Sequence, residues 1–115
     1  MRTPRVYIAS PYTFGDKEGN VLRSMHAADK LLELGFAPYC PLLNHYQDAM
    51  FPRSYEDWLA LDLRYLEACC AVIRLAGPSA GAGIEVRHAR RLDIPVFYSL
   101  RTLLAARDRG ELRSH

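Results

Sequence analysis

Short apolar runs alternate with longer amphipathic stretches along this chain. The runs have the length of strands and are rich in β-branched and aromatic residues; they span residues 5–9, 36–40, 70–75 and 94–98. Between them, apolar side chains recur every three or four positions, which predicts helices over residues 16–34, 54–68, 80–92 and 99–106. The repeat is clear in the first of these, at Val21, Met25, Ala28 and Leu32.

This alternation of strands and helices predicts an α/β fold in a single domain. Strands that alternate with helices form a parallel sheet, with helices on both faces and right-handed crossovers. We expect a three-layer, flavodoxin-like sandwich of four or five strands in the order 2-1-3-4. Pro38 cannot donate to a ladder, so the second strand is expected at an edge. The order places the ends of strands one and three side by side, which brings residues 7–14 next to residues 79–85.

Two segments stand outside the alternation. Residues 41–54 are rich in Pro, Asn, His and aromatic residues, and are predicted to form a loop of the length that often covers a site. Residues 107–115 are predicted to be a charged tail that frays. Residues 1–106 are then the domain.

The composition is that of a globular chain with a single small ligand. A chain of 115 residues can bury a genuine core, but it is too short for a dinucleotide-binding half and a separate substrate half. Fifteen basic and thirteen acidic residues leave a net charge of +2, which gives no reason to expect a nucleic-acid polymer as partner. The basic cluster of Arg87, Arg90 and Arg91 is interpreted as a solvated helix face.

The cysteines and the apolar runs indicate the cellular compartment of the protein. The three cysteines, Cys40, Cys69 and Cys70, lack the spacing of a zinc site or redox motif, so they are interpreted as buried hydrophobes in a reducing compartment. The first apolar run is too short for a signal peptide, and no later run could span a bilayer. We therefore expect a cytoplasmic protein with no membrane partner.

The most informative segment is the glycine-rich turn that follows the third strand and leads to Glu85. Ligands of parallel α/β proteins bind at this end of the strands. Near the start of a helix the local dipole favours negative charge, so Glu85 is predicted to be ionised and available; acidic residues are also common there for that reason alone. Ser79 and Gly81 are typical of an anion-binding or sugar-binding turn, which here lacks the Lys of a P-loop and the full dinucleotide fingerprint.

Other polar groups allow more than one interpretation. From its neighbours alone, Asp62 is best interpreted as a surface carboxylate paired with a nearby Arg. Tyr7 lies on the first strand, where its hydroxyl could bond a carboxylate near the strand's end. His45 either touches a ligand or caps a turn. Glu85 and His88 form an E-x-x-H pair, but the further ligands of a di-metal site are missing, so no metal is expected.

Taken in order, several segments resemble the nucleoside 2-deoxyribosyltransferase superfamily. They are VYIASPYT (6–13), LGFAP (34–38), Asp62, GPSAGAGIE (77–85), Ala89 and IPV (94–96). The resemblance extends over residues 4–98 and is greatest to small phage and bacterial members, related to 2′-deoxynucleoside 5′-monophosphate N-glycosidases. It implies a flavodoxin-like fold and a site that a neighbouring chain often completes. Together with the aromatic loop and helix from His45 to Trp58 as a candidate subunit contact, this predicts a homodimer or higher oligomer. No cofactor is expected.

The resemblance also implies roles for individual residues. Glu85 matches the glutamate that attacks the anomeric carbon, Tyr7 the tyrosine that orients it, and Asp62 the aspartate that binds or protonates the leaving base. Ser79 matches a position that helps to hold phosphate in the monophosphate hydrolases. The remaining expected substrate contacts are Ser10, Tyr12, Phe14, His45 and Gly81.

The expected function is therefore cleavage or transfer of the N-glycosidic bond of a nucleoside or nucleoside 5′-monophosphate. Two carboxyl groups from different segments suit this chemistry, because one stabilises the cationic sugar and the other assists the departing base. Three departures leave the substrate and the choice of hydrolysis or transfer open: the first loop lacks an Arg-Gly-Gly, Cys70 replaces an aspartate, and Ser79 replaces the transferases' acid. The alternatives are a nucleotide-binding or sensing module without turnover and a structural partner of a larger assembly.

Overall fold

A parallel sheet of four strands forms the centre of the structure, a computed structural model that describes residues 3–112. The strands are β1 (Arg5–Ala9), β2 (Ala37–Tyr39), β3 (Ala71–Arg74) and β4 (Val96–Phe97). Their order, β2-β1-β3-β4, and their parallel pairing confirm the predicted sheet, with Pro38 on an edge strand. β2, β3 and β4 are each shorter than the apolar runs that predict them.

Five α-helices occur in the described part of the chain. They are α1 (Lys17–Glu33), α2 (Asn44–Met50), α3 (Tyr55–Leu66), α4 (Ala80–Arg91) and α5 (Leu100–Asp108). The prediction of a loop over residues 41–54 is wrong in part, since this segment contains a 3₁₀ turn, Pro41–Leu43, followed by α2. None of the side chains of α2 is buried, and its 7 residues are too few for the apolar repeat that predicts the longer helices.

The side chains of β1 point alternately into two cores, one on each face of the sheet. Val6 and Ile8 pack with Leu31 of α1 and Leu103 of α5. Tyr7 and Ala9 pack on the opposite face, with Leu66, which ends α3, and Ala89 of α4. This arrangement confirms the three layers, and it places the Tyr7 side chain on the same face as α3 and α4.

The last helix is longer than predicted. α5 continues to Asp108, because the Arg107 guanidinium lies 4.6 Å from the centre of the Phe36 ring and donates to the Leu34 carbonyl. Residues 113–115 of the predicted tail lie outside the described residues, as do the first two residues of the chain. No helix within residues 3–112 is both long enough and apolar enough to cross a bilayer.

The three cysteines are buried and unpaired. Burial raises the pKa of the Cys69 thiol to about 11 and also raises that of Cys70. Cys69 and Cys70 are therefore poor nucleophiles, and the burial of all three cysteines agrees with their interpretation as buried hydrophobes.

Candidate active site

A cavity of about 570 Å³ lies at the end of the sheet where the strands finish. The segments that follow β1, β2 and β3 line it, together with side chains of α2, α3 and α4. Most of the expected site residues are on its wall; they are Ser10, Tyr12, His45, Asp62, Ser79, Gly81 and Glu85. The topology thus brings together residues that are up to 75 positions apart in the chain.

Two expected residues are not on this wall. Tyr7 is completely buried beneath it and reaches the site through its hydroxyl group. Phe14 does not line the cavity and is 60% exposed, although it belongs to the same β1–α1 connection as Tyr12. The structure therefore leaves Phe14 apart from the residues that it brings together.

Glu85 is the sixth residue of α4, and only 7% of its surface is exposed. Ser79 caps the helix, because its Oγ accepts a hydrogen bond from the Ala82 N–H at 3.0 Å. The Tyr7 hydroxyl donates to Oε2 of Glu85. These contacts hold the carboxyl group at the sheet, with its side chain on the cavity wall.

The prediction that the helix dipole keeps Glu85 ionised is wrong. Burial raises the pKa of Glu85 to about 8, and the charge of Asp62 adds to this, while the Tyr7 hydrogen bond and the Arg74 charge oppose it. A helix dipole acts mainly within the first turn, and Glu85 lies beyond it. Desolvation therefore decides the protonation state of this carboxyl group.

Tyr7 is a hydrogen-bond donor over the whole physiological pH range. Burial and the neighbouring Glu85 charge raise the pKa of Tyr7 well above its usual value. Its ring stacks on that of Tyr39, with 5.6 Å between the centroids, and Tyr39 in turn stacks on Tyr65. The ring packing fixes the direction in which the Tyr7 hydroxyl points.

The structure also overturns the interpretation of Asp62 as a surface carboxylate paired with an arginine. Its exposed fraction is 9%, and its Oδ1 accepts from the Tyr39 hydroxyl at 3.3 Å and from Nδ2 of Asn44 at 2.9 Å. Burial raises the pKa of Asp62 to about 6 against these two hydrogen bonds. The signal was present in the sequence, since Asp62 stands one helical turn before the buried Leu66.

His45 contacts a neighbouring side chain on the cavity wall. Its Nδ1 lies 2.6 Å from the Tyr12 hydroxyl, which links α2 to the β1–α1 connection. The turn at the end of α2 is capped instead by Asp48, whose Oδ1 accepts from the Arg53 N–H at 2.8 Å and from Nε1 of Trp58 at 2.7 Å. His45 therefore lies on the cavity wall, where it contacts Tyr12, and Asp48 rather than His45 caps this turn.

The glycine-rich turn is held by guanidinium groups from two elements. Arg74 donates to the Leu75 carbonyl and, at 2.9 Å, to that of Gly77. Arg23 of α1 donates to the intervening Ala76 carbonyl at 2.5 Å. Gly77 has φ +125° and a Cβ there would come within 3.0 Å of Pro11, so the turn is both clamped and closely packed.

The E-x-x-H pair is divided between two environments. Glu85 bonds Tyr7, whereas Nε2 of His88 lies 3.0 Å from the Glu67 carboxylate. Within residues 3–112 no group of three or more His, Cys, Asp or Glu side chains is arranged to hold a metal ion.

Asn44, Tyr39, Trp58 and Arg74 belong to the site but were missed in the sequence. The sequence gives little sign of their place in the site, because each residue also fits an ordinary structural role in its own element. Only after folding do Tyr39 and Asn44 contact Asp62, Trp58 contact Asp48, and Arg74 contact the glycine-rich turn.

These features define a flavodoxin-like α/β domain with two buried carboxyl groups at the end of the sheet where the strands finish. The chain belongs to the family described as a domain of unknown function, DUF7768, whose model matches residues 4–99.

Among solved structures, the fold is similar to that of the 2-deoxyribosyltransferase from the psychrotolerant bacterium Bacillus psychrosaccharolyticus, described as a biocatalyst for nucleoside synthesis. The TM-score is 0.59 at 22% identity, over 80% of this chain and 69% of that one. No curated protein matches the chain. At this identity the likeness shows the shared fold.

Proposed function

We propose that this protein cleaves or transfers the N-glycosidic bond of a nucleoside or nucleoside 5′-monophosphate. The observation that carries the proposal is that Glu85 and Asp62 line one cavity while Tyr7 bonds Glu85 from beneath it. The fold shared with a 2-deoxyribosyltransferase also supports it. The volume of about 570 Å³ is within the usual range for a small-molecule site.

The reaction begins with attack by Glu85 on the anomeric carbon. A bond forms between a Glu85 oxygen and this carbon, while the bond to the base nitrogen breaks and its electron pair stays with the base. Asp62 donates a proton to that base. In the second step a water molecule, or a second base, bonds to the anomeric carbon and displaces Glu85, and the proton released by this acceptor returns to Asp62.

The two carboxyl groups together hold one proton near neutral pH. With a pKa of about 8 for Glu85 and about 6 for Asp62, this proton resides mainly on Glu85 in the resting site. Attack requires it on Asp62 instead. Positive charge that develops on the sugar stabilises ionised Glu85, so progress towards the transition state itself favours the reactive distribution.

The other residues of the cavity wall are the proposed substrate contacts. Tyr12, His45 and Trp58 offer aromatic rings to the base. Ser79, Gly81 and the backbone amides at the start of α4 would hold the sugar or its 5′ end, and Ser10 lines the same cavity. No cofactor is part of this proposal.

Replacement of the nucleophile tests the proposal. Glu85→Ala is expected to abolish release of free base, because no ester with the sugar can form. The measurement is chromatography of free bases after incubation with a panel of 2′-deoxynucleosides, ribonucleosides and their 5′-monophosphates. Glu67→Ala, which removes an exposed carboxylate bonded to His88, is the matched control and should retain release. Undiminished release by folded Glu85→Ala would disprove the assignment.

Binding without turnover is a second candidate function. It is favoured by the raised pKa of Glu85, because a carboxyl group that is mostly neutral at pH 7 is a poor nucleophile. In that case equilibrium dialysis would detect retention of a nucleotide by the wild-type protein, while the same incubation would release no base.

We also propose that the protein is a homodimer or a higher oligomer. Apolar side chains crowd the surface around α2 and the start of α3 without burying much of their area; they are Tyr46, Met50, Phe51 and Tyr55. Such a patch beside a cavity fits a subunit contact.

A further inference from the structure

The two carboxyl groups of the cavity are each held through one oxygen. Tyr7 donates to Oε2 of Glu85, and both hydrogen bonds to Asp62 end on its Oδ1. Oε1 of Glu85 and Oδ2 of Asp62 accept none of these bonds. Within residues 3–112 every fully buried side-chain oxygen has a hydrogen-bond partner, so these two oxygens are not fully buried. They are therefore the carboxyl oxygens accessible from the cavity that both residues line.

The two donors to Asp62 act at every relevant pH. The Asn44 amide donates regardless of pH, and burial together with the Asp62 charge raises the pKa of Tyr39, which keeps its hydroxyl protonated. Two hydrogens directed at Oδ1 occupy its lone pairs. A proton on the same oxygen would have to displace one of them, so protonation favours the other oxygen.

We propose that Asn44 and Tyr39 are positioning residues that direct the exchangeable proton of Asp62 to Oδ2, and that Oδ2 delivers this proton to the departing base. The delivery step rests on the function proposed above. In it the O–H bond at Oδ2 breaks, the proton joins the base nitrogen that keeps the glycosidic electron pair, and Asp62 is left ionised with Oδ1 still bonded to both donors.

Asn44 contributes more than Tyr39 on geometric grounds. Its bond to Oδ1 is 2.9 Å long, against 3.3 Å for that of Tyr39. The other groups that act on this site are Glu85 from α4, whose charge interacts with that of Asp62, and Tyr7 from β1, which stays neutral. Because burial raises the pKa of Asp62 while Asn44 and Tyr39 lower it, loss of either donor should raise it further.

The direct test is a titration of the Asp62 carboxyl carbon by NMR in the full chain, labelled with ¹³C-aspartate and assigned with Asp62→Asn. The midpoint in Asn44→Ala is expected about one pH unit above that of the wild type, and Tyr39→Phe should shift it less. Tyr39→Phe retains the ring that stacks on Tyr7 and Tyr65, so it also serves if Asn44→Ala does not fold. Gln47→Ala, an exposed change on α2, is the matched control and should leave the midpoint unchanged.

Steady-state kinetics measure how the same shift of the Asp62 pKa affects catalysis. In base release from 2′-deoxynucleosides and their 5′-monophosphates, the acid limb of kcat/KM should move to higher pH in Asn44→Ala, because both carboxyl groups are then protonated up to a higher pH. Asp62→Asn should lower kcat with KM nearly unchanged, since its amide oxygen takes the place of Oδ1 and its NH₂ group that of protonated Oδ2. Asp62→Leu should raise KM as well, because it keeps neither contact.

The outcomes separate the two proposals. An Asp62 midpoint that stays in place in both Asn44→Ala and Tyr39→Phe would overturn the positioning role, whatever the activity. A large increase of KM in Asp62→Asn, equal to that in Asp62→Leu, would overturn the assignment of Oδ2. Absence of base release by the wild type would overturn proton delivery and the proposed function together, while the NMR titration would still report on the hydrogen bonds.

Discussion

At the scale of single residues, burial of carboxyl groups has a cost that pH can reveal. Glu85 is 7% exposed and its pKa rises from 4.5 to about 8, so its charged form is less stable in the folded protein than in the unfolded chain. Asp62 has a smaller shift of the same sign, to about 6. Burial of such groups lowers the stability of the folded protein when they are charged, which is a common trade-off between activity and stability.

The resulting prediction concerns Glu85→Gln. A raised folded pKa stabilises the protein below the unfolded pKa of 4.5, and this contribution is lost as the pH rises through about 8. The unfolding free energy of the wild type should therefore fall between about pH 5 and pH 8, by a few kcal/mol, since each pKa unit corresponds to about 1.4 kcal/mol.

Glu85→Gln should show a flatter profile and greater stability at pH 8, as measured by urea unfolding at each pH. The control is Glu67→Gln, which removes an exposed carboxylate and should follow the wild-type profile. A wild-type profile that rises towards pH 8 by the same amount would contradict the desolvation argument.

At the scale of elements, a serine N-cap occurs at three of the helices. Ser54, Ser79 and Ser99 each cap a helix by accepting a hydrogen bond from the N–H three residues later. Only Ser79 has a side chain on the cavity wall. Ser79 therefore both caps α4 and lines the cavity, whereas Ser54 and Ser99 cap their helices away from it.

This repetition provides a matched pair of variants. Ser79→Ala and Ser99→Ala should each lower the unfolding free energy by about 1 kcal/mol, because each loses one cap. Only Ser79→Ala should also raise the KM for base release, since only it loses a contact in the cavity. Thermal unfolding and steady-state kinetics measure the two effects, and an equal rise of KM in Ser99→Ala would show that destabilisation alone explains it.

At the scale of the whole molecule, the proposed subunit contact lies on the apolar surface around α2. Met50 is 74% exposed and Phe51 is 70% exposed, next to the segment that forms one wall of the cavity. Water-exposed apolar area of this kind favours association with a second copy.

Sedimentation velocity at micromolar concentration should show a dimer or larger species for the wild type. Phe51→Glu should dissociate it, because the new charge would be buried at the contact without a partner. Leu92→Glu places the same charge at an exposed apolar position just after α4 and should leave the sedimentation coefficient unchanged. A monomeric wild type would contradict the proposed subunit contact.

The fold was largely predictable because its signals are local. Apolar runs and helical repeats depend on neighbours a few positions away, and the chirality of βαβ connections then restricts the sheet to few orders. The failures have local causes too. α2 has 7 residues, too few for a helical repeat to be recognised, and α5 gains its last residues from the contact of Arg107 with Phe36 and Leu34.

The sequence by itself determined the strands, most of the helices, the glycine-rich turn and the candidacy of Glu85, since all of these are written in spacing and residue type. The tertiary structure alone decided the environment of each group. It raised the pKa values of both carboxyl groups and placed Tyr39 and Asn44 against a single oxygen of Asp62. The physical reason is that desolvation and hydrogen bonding depend on what surrounds an atom in space, and those surroundings come from residues far apart in the chain.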